Sequence, residues 1–193
     1  MFYRSIIPFF IVTILILTNC HDNSTNPIDD SLNDTIIPLK VGNYWVYQSN
    51  EVGNINRRDT IMVTLKKQIN GKDWYLFGEI YVRNEKDGLW MIDPEAPNKT
   101  PVLILKYPGK VGDQWNVSND EKTKILSTDT GIEVLGKMYS HCYLYEDIIL
   151  ENGNISEKTK IYIKPGIGIV KTEEYNNAGG LEDQALLVLY KLN

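Results

Sequence analysis

Asp129-Thr130-Gly131 is the tripeptide with which paired loops can bring two aspartates together to share one proton and activate water. One copy occurs in the chain, so such a pair would need a second molecule. Its flanks, Ser127-Thr128 and Ile132, are those of an ordinary turn between two strands, and a turn is what we expect. His141 and Cys142 are the other candidates for a base and a nucleophile. Neighbours on a strand point to opposite faces, so these two cannot pair with each other. Glu173-Glu174 and Glu182-Asp183 hold the carboxylates a glycoside hydrolase would need. Neighbours again face apart, and both clusters are expected on a solvated rim. The chain has no G-x-S-x-G, Walker loop, H-E-x-x-H, C-x-x-C or D-x-[DN]-x-[DN]-G. We therefore expect no catalytic set, no metal site and no cofactor.

One stripe could recognise a ligand. Strand alternation along Met138 to Tyr145 places Met138, Ser140, Cys142 and Leu144 on one face, expected to be core, and Tyr139, His141, Tyr143 and Tyr145 on the other. These last four are the candidate ligand-facing residues. The competing expectation is that they pack beneath a neighbouring sheet.

The elements that would position these residues are strands. From Leu39 onward, short runs rich in Tyr, Ile, Val and Thr alternate with turn residues, and helical periodicity is nearly absent. Asn70-Gly71, Asp87-Gly88 and Asn152-Gly153 supply the pairs that tight hairpins require. Strands are predicted near 43–49, 59–68, 73–83, 89–93, 101–107, 114–117, 122–128, 132–135, 138–150, 157–164, 167–175 and 184–192. Leu181, Ala185 and Leu189 also recur at helical spacing, which makes a short helix the alternative within 178–190. Runs such as Val102-Leu-Ile-Leu105 and Leu186-Leu-Val-Leu189 are apolar on both faces, as in strands covered on both sides. The expected fold is all-β: a single antiparallel curved sheet, a half-barrel or barrel-like sandwich of about ten to twelve short strands.

Three phrases share a theme: Pro38-Leu-Lys-Val-Gly-Asn-Tyr-Trp-Val-Tyr47, Lys110-Val-Gly-Asp-Gln-Trp115 and Lys164-Pro-Gly-Ile-Gly-Ile-Val-Lys171. Each reads as a turn that delivers a strand, with Trp45 or Trp115 plugging the core. Gly166 and Gly168 suggest a bulge or a close backbone approach. Together with Gly136 to Glu146, the phrases resemble a group of uncharacterised exported β-rich lipoproteins of Bacteroidota-like bacteria. That resemblance implies a fold and an address and brings no catalytic residues.

The N-terminus carries the address itself. Arg4 precedes an apolar run, Ile6 to Leu17, whose 12 residues suit an export signal and fall short of a membrane span. Leu17-Thr18-Asn19-Cys20 resembles the lipobox of bacterial lipoproteins, which implies cleavage after Asn19 and lipid on Cys20. Asn19 departs from the usual Gly, Ala or Ser. One acyl chain binds marginally and two or three hold firmly. Taking residues 1–19 from the 193 leaves 174, and the loss of Arg4 moves the net charge from −5 to −6. Residues 20–37 read as a lipidated cysteine and a flexible tether with a reach of about 23 Å, and 38–193 as one β-rich domain. With Cys20 lipidated, Cys142 has no disulfide partner. No Lys/Arg block is present to sit on phosphates, so nucleic acid is not an expected partner. His21 follows the lipidated cysteine where Asp would be an inner-membrane retention signal, which favours the outer membrane. The expectation is a non-enzymatic, lipid-anchored envelope protein that binds an apolar or carbohydrate ligand or an envelope protein. The alternatives are a structural or adhesive surface component and a hydrolase whose site is not legible.

Overall fold

The computed structural model describes residues 35–50, 57–93 and 100–193. The signal, Cys20, His21 and the tether up to residue 34 lie outside the described residues. Twelve strands follow one another: β1 (Tyr44–Ser49), β2 (Arg57–Ile69), β3 (Lys72–Phe77), β4 (Ile80–Glu85), β5 (Gly88–Ile92), β6 (Val102–Lys106), β7 (Gln114–Asn116), β8 (Glu121–Val134), β9 (Lys137–Glu151), β10 (Asn154–Lys164), β11 (Gly168–Asn176) and β12 (Leu181–Lys191). All pair antiparallel in one sheet of order β6-β5-β4-β3-β2-β1-β12-β11-β10-β9-β8-β7. The sheet is a meander of two six-strand halves joined through β1 and β12, with β6 and β7 as its edges. It curls without closing. The described residues contain no helix, and the segment with helical spacing is strand β12.

Turn chemistry explains most of the boundaries. Asn70 and Asn152 sit at φ 52° before Gly71 at 73° and Gly153 at 79°, the left-handed pairs that match strand twist. At the third expected hairpin the loop is Lys86-Asp87, because Gly88 already pairs with Glu85 as the first residue of β5. A further hairpin turns on Leu135 (φ 50°) and Gly136 (φ 80°). Leucine rarely adopts this conformation, so the pair gave little signal in the sequence. The run 73–83 is two strands split at Gly78-Glu79, whereas 122–128 and 132–134 belong to the single strand β8, and Leu135 is in the turn that follows.

The repeated phrases share one geometry. Asn43 N–H donates to Lys40 O, and Asp113 N–H to Lys110 O, both at 3.0 Å. Gly42 and Gly112 have φ of 91° and 89°, which a Cβ would oppose, so Val-Gly is a type II turn in both places. Each turn then bridges to a core residue of the next long strand, Val63 or Ile125, through the same two backbone bonds. In the third phrase Ile167 N–H donates to Lys164 O at 3.0 Å, again with a glycine, Gly166, at positive φ. Gly168 lies against the Trp45 indole, and a bulge follows between Ile169 and Lys171.

The concave face holds the core. Trp45, Val63, Val82, Ile125, Tyr145, Ile163 and Val170 are fully buried there, and Phe77 meets Trp45 edge-on at 5.4 Å. Trp45 Nε1–H donates to Ile167 O and so ties β1 to the turn before β11. Where composition placed the end of the tether, Ile36 and Ile37 are 1% exposed. Thr35 O accepts from Gly166 N–H, and Ile37 O accepts from the Asn84 amide at 2.9 Å. The packed domain therefore includes Thr35–Ile37, because two isoleucines in a polar stretch suffice to dock it.

A convex-face pocket as the candidate functional site

Strict alternation along β9 fails at His141. Ser140 and His141 together oppose Gly131, so the strand carries an extra residue, and His141 takes it up at φ 55°. Burial consequently falls on Tyr139, Cys142 and Tyr145, while Met138 and Ser140, expected in the core, are exposed. The four candidate aromatics do not share a surface. Tyr139 is buried and titrates at about 12 through burial and its neighbours Tyr190 and Cys142. Tyr145 is fully enclosed and donates to Lys106 O at 2.9 Å. Tyr143 stacks on it at 5.9 Å, and His141 faces outward.

Asp129-Thr130-Gly131 is not a turn but lies within β8, where a second bulge between Ser127 and Thr130 lifts Asp129 outward. Asp129 Oδ1 meets His141 Nδ1 at 2.8 Å, and both side chains are more than 70% exposed. The pair bridges two neighbouring bulges in solvent, and no buried nucleophile joins it: Cys142 points inward, where burial raises its thiol to about 11. The expected solvated rim holds for Glu174 and Glu182, which are exposed, but not for Glu173. Glu173 is largely buried on the convex face and accepts from Lys171, Tyr162 and Tyr175. Burial pushes its carboxyl up, but the bonds from Lys171 and Tyr175 outweigh it and hold it below the usual range. Glu174 and Asp183 are cross-strand neighbours on the concave side, and Glu182 accepts from Asn176.

The convex face of β3–β5 holds a site that the sequence reading missed. Because Val82 points into the core, its neighbours Tyr81 and Arg83 point out, beside Trp74 and Trp90. Trp74 is 1% exposed and forms with Ile69, Tyr81 and Ile92 a small second core. The Arg83 guanidinium lies 4.4 Å over the Trp74 ring and gives Nη2 to Glu85 at 2.7 Å. Lys72 reaches the same carboxylate at 3.1 Å, and Trp90 Nε1–H donates to Asp87 at 2.8 Å. Arg83 Nε is buried without a hydrogen-bond partner among the described residues. These side chains line a pocket of about 480 Å³, rimmed by Thr100 and Pro101, within the size range of small-ligand sites. The partly exposed Trp90 indole beside fixed donors (Lys72, Arg83) and acceptors (Glu85, Asp87) suits a ring with an apolar C–H face and an equatorial rim of hydroxyls, while Trp74, buried beneath Arg83, forms the floor that fixes the guanidinium. The signal available in the sequence was the alternation Trp74-x-Leu76, Tyr81-x-Arg83-x-Glu85 and Trp90-x-Ile92. What it lacked was the register that makes Arg83 and Trp90 direct partners.

No family model matches the sequence, and no curated protein matches it either. Among solved structures, a Bacteroides fragilis protein provisionally described as exported, with a YmcC-like fold, aligns over 82% of this chain and all of its own, at 14% identity and a TM-score of 0.52. A Parabacteroides distasonis protein provisionally described as a lipoprotein aligns over 82% and 99%, at 12% identity and a TM-score of 0.45. The hypothetical lipoprotein YmcC of Escherichia coli aligns over 86% and 97%, at 9% identity and 0.37. The likeness to the first of these is one of fold.

Proposed function

We propose that this chain is a lipid-anchored protein of the bacterial envelope whose β-domain is a recognition module rather than an enzyme, and that it binds carbohydrate on its convex face. The pocket beside Trp90, floored by Trp74 and Arg83, carries this reading. Its one open aromatic wall and paired charges bind and orient, and both carboxylates are already engaged, Glu85 by two cations and Asp87 by an indole. The address is supported by the signal-like N-terminus and the lipobox at Cys20, and by the descriptions of the structural neighbours as exported proteins or lipoproteins. Outer-membrane placement follows from His21 in the position after the anchor.

The test is native mass spectrometry of the mature chain purified from a bacterial periplasm, followed by titration with envelope oligosaccharides read by tryptophan fluorescence. A copurifying or titrating sugar whose binding falls at least tenfold in Trp90→Ala, with the melting temperature unchanged, is the expected result. A clean mass together with no response to any glycan would overturn the carbohydrate reading and move the function to protein contacts. Radiolabelled palmitate on wild-type protein but not on Cys20→Ser tests the anchor separately.

A further inference from the structure

We infer that the end of the domain where the chain enters from its N-terminus is a docking surface for an anionic lipid bilayer. Strands β9, β10 and β12 each run from this end to the other, and their charges separate along that axis. At the entry end stand Lys137 at the start of β9, Lys164 at the end of β10 and Lys191 at the end of β12, with Lys40 in the first type II turn. Contacts bring these elements together. Gly166 holds Thr35 of the entering arm, Asn193 N–H donates to Asn43 at 2.8 Å, and Lys137 lies 5.3 Å over the Tyr190 ring. None of the four lysines has an ion-pair partner among the described residues; the nearby Asp73 is already bound to Lys66, and Glu133 is the carboxylate on the adjacent hairpin.

Exposed apolar side chains accompany them: Val41 at 47%, Leu135 at 54% and Met138 at 64%, all at or beside turn tips. Lysines interleaved with protruding apolar tips are what a headgroup layer binds, by charge and by shallow insertion. The opposite end carries an acidic excess. Asp147, Glu174 and Asp183 lie in one transverse row through Thr123 and Thr159, flanked by Glu151, Glu157 and Glu182, and the bases interleaved there include Lys158, already paired with Glu146, as well as Lys122 and Lys160. A chain of net charge −5 would be repelled by an anionic surface on average; this separation presents the basic end and turns the acidic end away.

The side from which the bilayer approaches rests on the lipid-anchor reading. Fourteen residues separate Cys20 from Thr35. As the flexible tether expected from the sequence they reach about 20 Å, well short of the roughly 50 Å of a strand like β9, so the entry end is on average the one kept nearest the membrane.

The experiment uses the mature chain with Cys20→Ser, so that no lipid contributes. It is sedimented with vesicles of phosphatidylglycerol and phosphatidylethanolamine, and with vesicles of phosphatidylcholine alone. Binding to the anionic vesicles, lost at high salt and absent with phosphatidylcholine, is expected. Each lysine near such a surface is worth roughly fivefold in partitioning, so Lys40→Glu/Lys191→Glu should weaken binding at least tenfold. Lys40→Arg/Lys191→Arg should retain it, and unchanged melting temperatures would show both variants folded. No binding to anionic vesicles, equal binding to phosphatidylcholine, or binding unaffected by the charge reversal would overturn the inference. Because palmitate labelling is read on wild type, loss of the anchor reading and loss of this surface are separate outcomes.

Discussion

The Trp115 indole nitrogen donates to the Leu103 carbonyl oxygen at 3.0 Å, and that bond crosses between the two edges of the sheet, β7 and β6. Tyr145 makes a second crossing to Lys106 O. Edge strands left open invite pairing with other chains. Here side-chain donors from one half of the meander occupy carbonyls on the edge of the other, and Trp115 also meets Tyr145 edge-on at 6.3 Å. The seam is held by side chains where a closed barrel would have a ladder.

Trp115→Phe keeps most of the packing and removes the donor. It should lower stability by about 1 kcal/mol in urea denaturation, with faster hydrogen exchange concentrated in β6. Uniform acceleration across all twelve strands would mean that the seam is not a local lock.

Glycine positions differ sharply in what they tolerate. A Cβ on Gly88 would lie 2.0 Å from Leu105 O, at φ 144°. Gly88→Ala should therefore destabilise by 3 kcal/mol or more, on the order of a core disruption, because backbone is what must yield. A Cβ on Gly71 meets nothing within 4 Å; Gly71→Ala bears only the left-handed strain of about 1 kcal/mol. Parallel thermal melts of the two variants check the ranking.

Stability should fall between pH 5 and 8. Burial, then the Asp147 charge and hydrogen bond, raise the Glu121 carboxyl to about 7. A folded-state value above the unfolded one means the protonated form favours folding. The contribution is complete below the ordinary carboxylate range and is lost as pH rises through 7. Solvent screening at this partly exposed site limits it to about 1 kcal/mol. Glu121→Gln should flatten the profile and be relatively more stable at pH 8; an unchanged slope would assign the dependence elsewhere.

His141 holds a left-handed backbone, and its bond to Asp129 lies in solvent. Asparagine tolerates that conformation, so His141→Asn should melt within about 0.5 kcal/mol of wild type. His141→Val should lose about 1 to 2 kcal/mol, because a β-branched residue resists positive φ. If Asn proved as damaging as Val, the side-chain pair rather than the backbone would be what fastens the bulges.

Local chemistry is legible wherever it acts alone. Asn-Gly pairs, β-branched runs and the twofold Val-Gly-Asx turn were readable because each is set by the conformational limits of a few adjacent residues. The Asp-Thr-Gly triplet and the Met138 to Tyr145 stripe misled for the opposite reason. Their orientation depends on two bulges, each defined only by the partner strand, and one inserted residue shifts every later side chain. Ile36 and Ile37 read as tether because their polar surroundings hide a core that is assembled from distant strands.

The sequence by itself determined the all-β architecture, a single antiparallel curved sheet, and several of its hairpin turns. These follow from period and turn residues, which need no tertiary partner. Only the tertiary structure decided which aromatics are core, that Trp115 bridges the open seam, and that Trp74, Arg83 and Trp90 converge. Cross-strand register and sheet curl set those juxtapositions, and both arise from contacts between residues far apart in the chain.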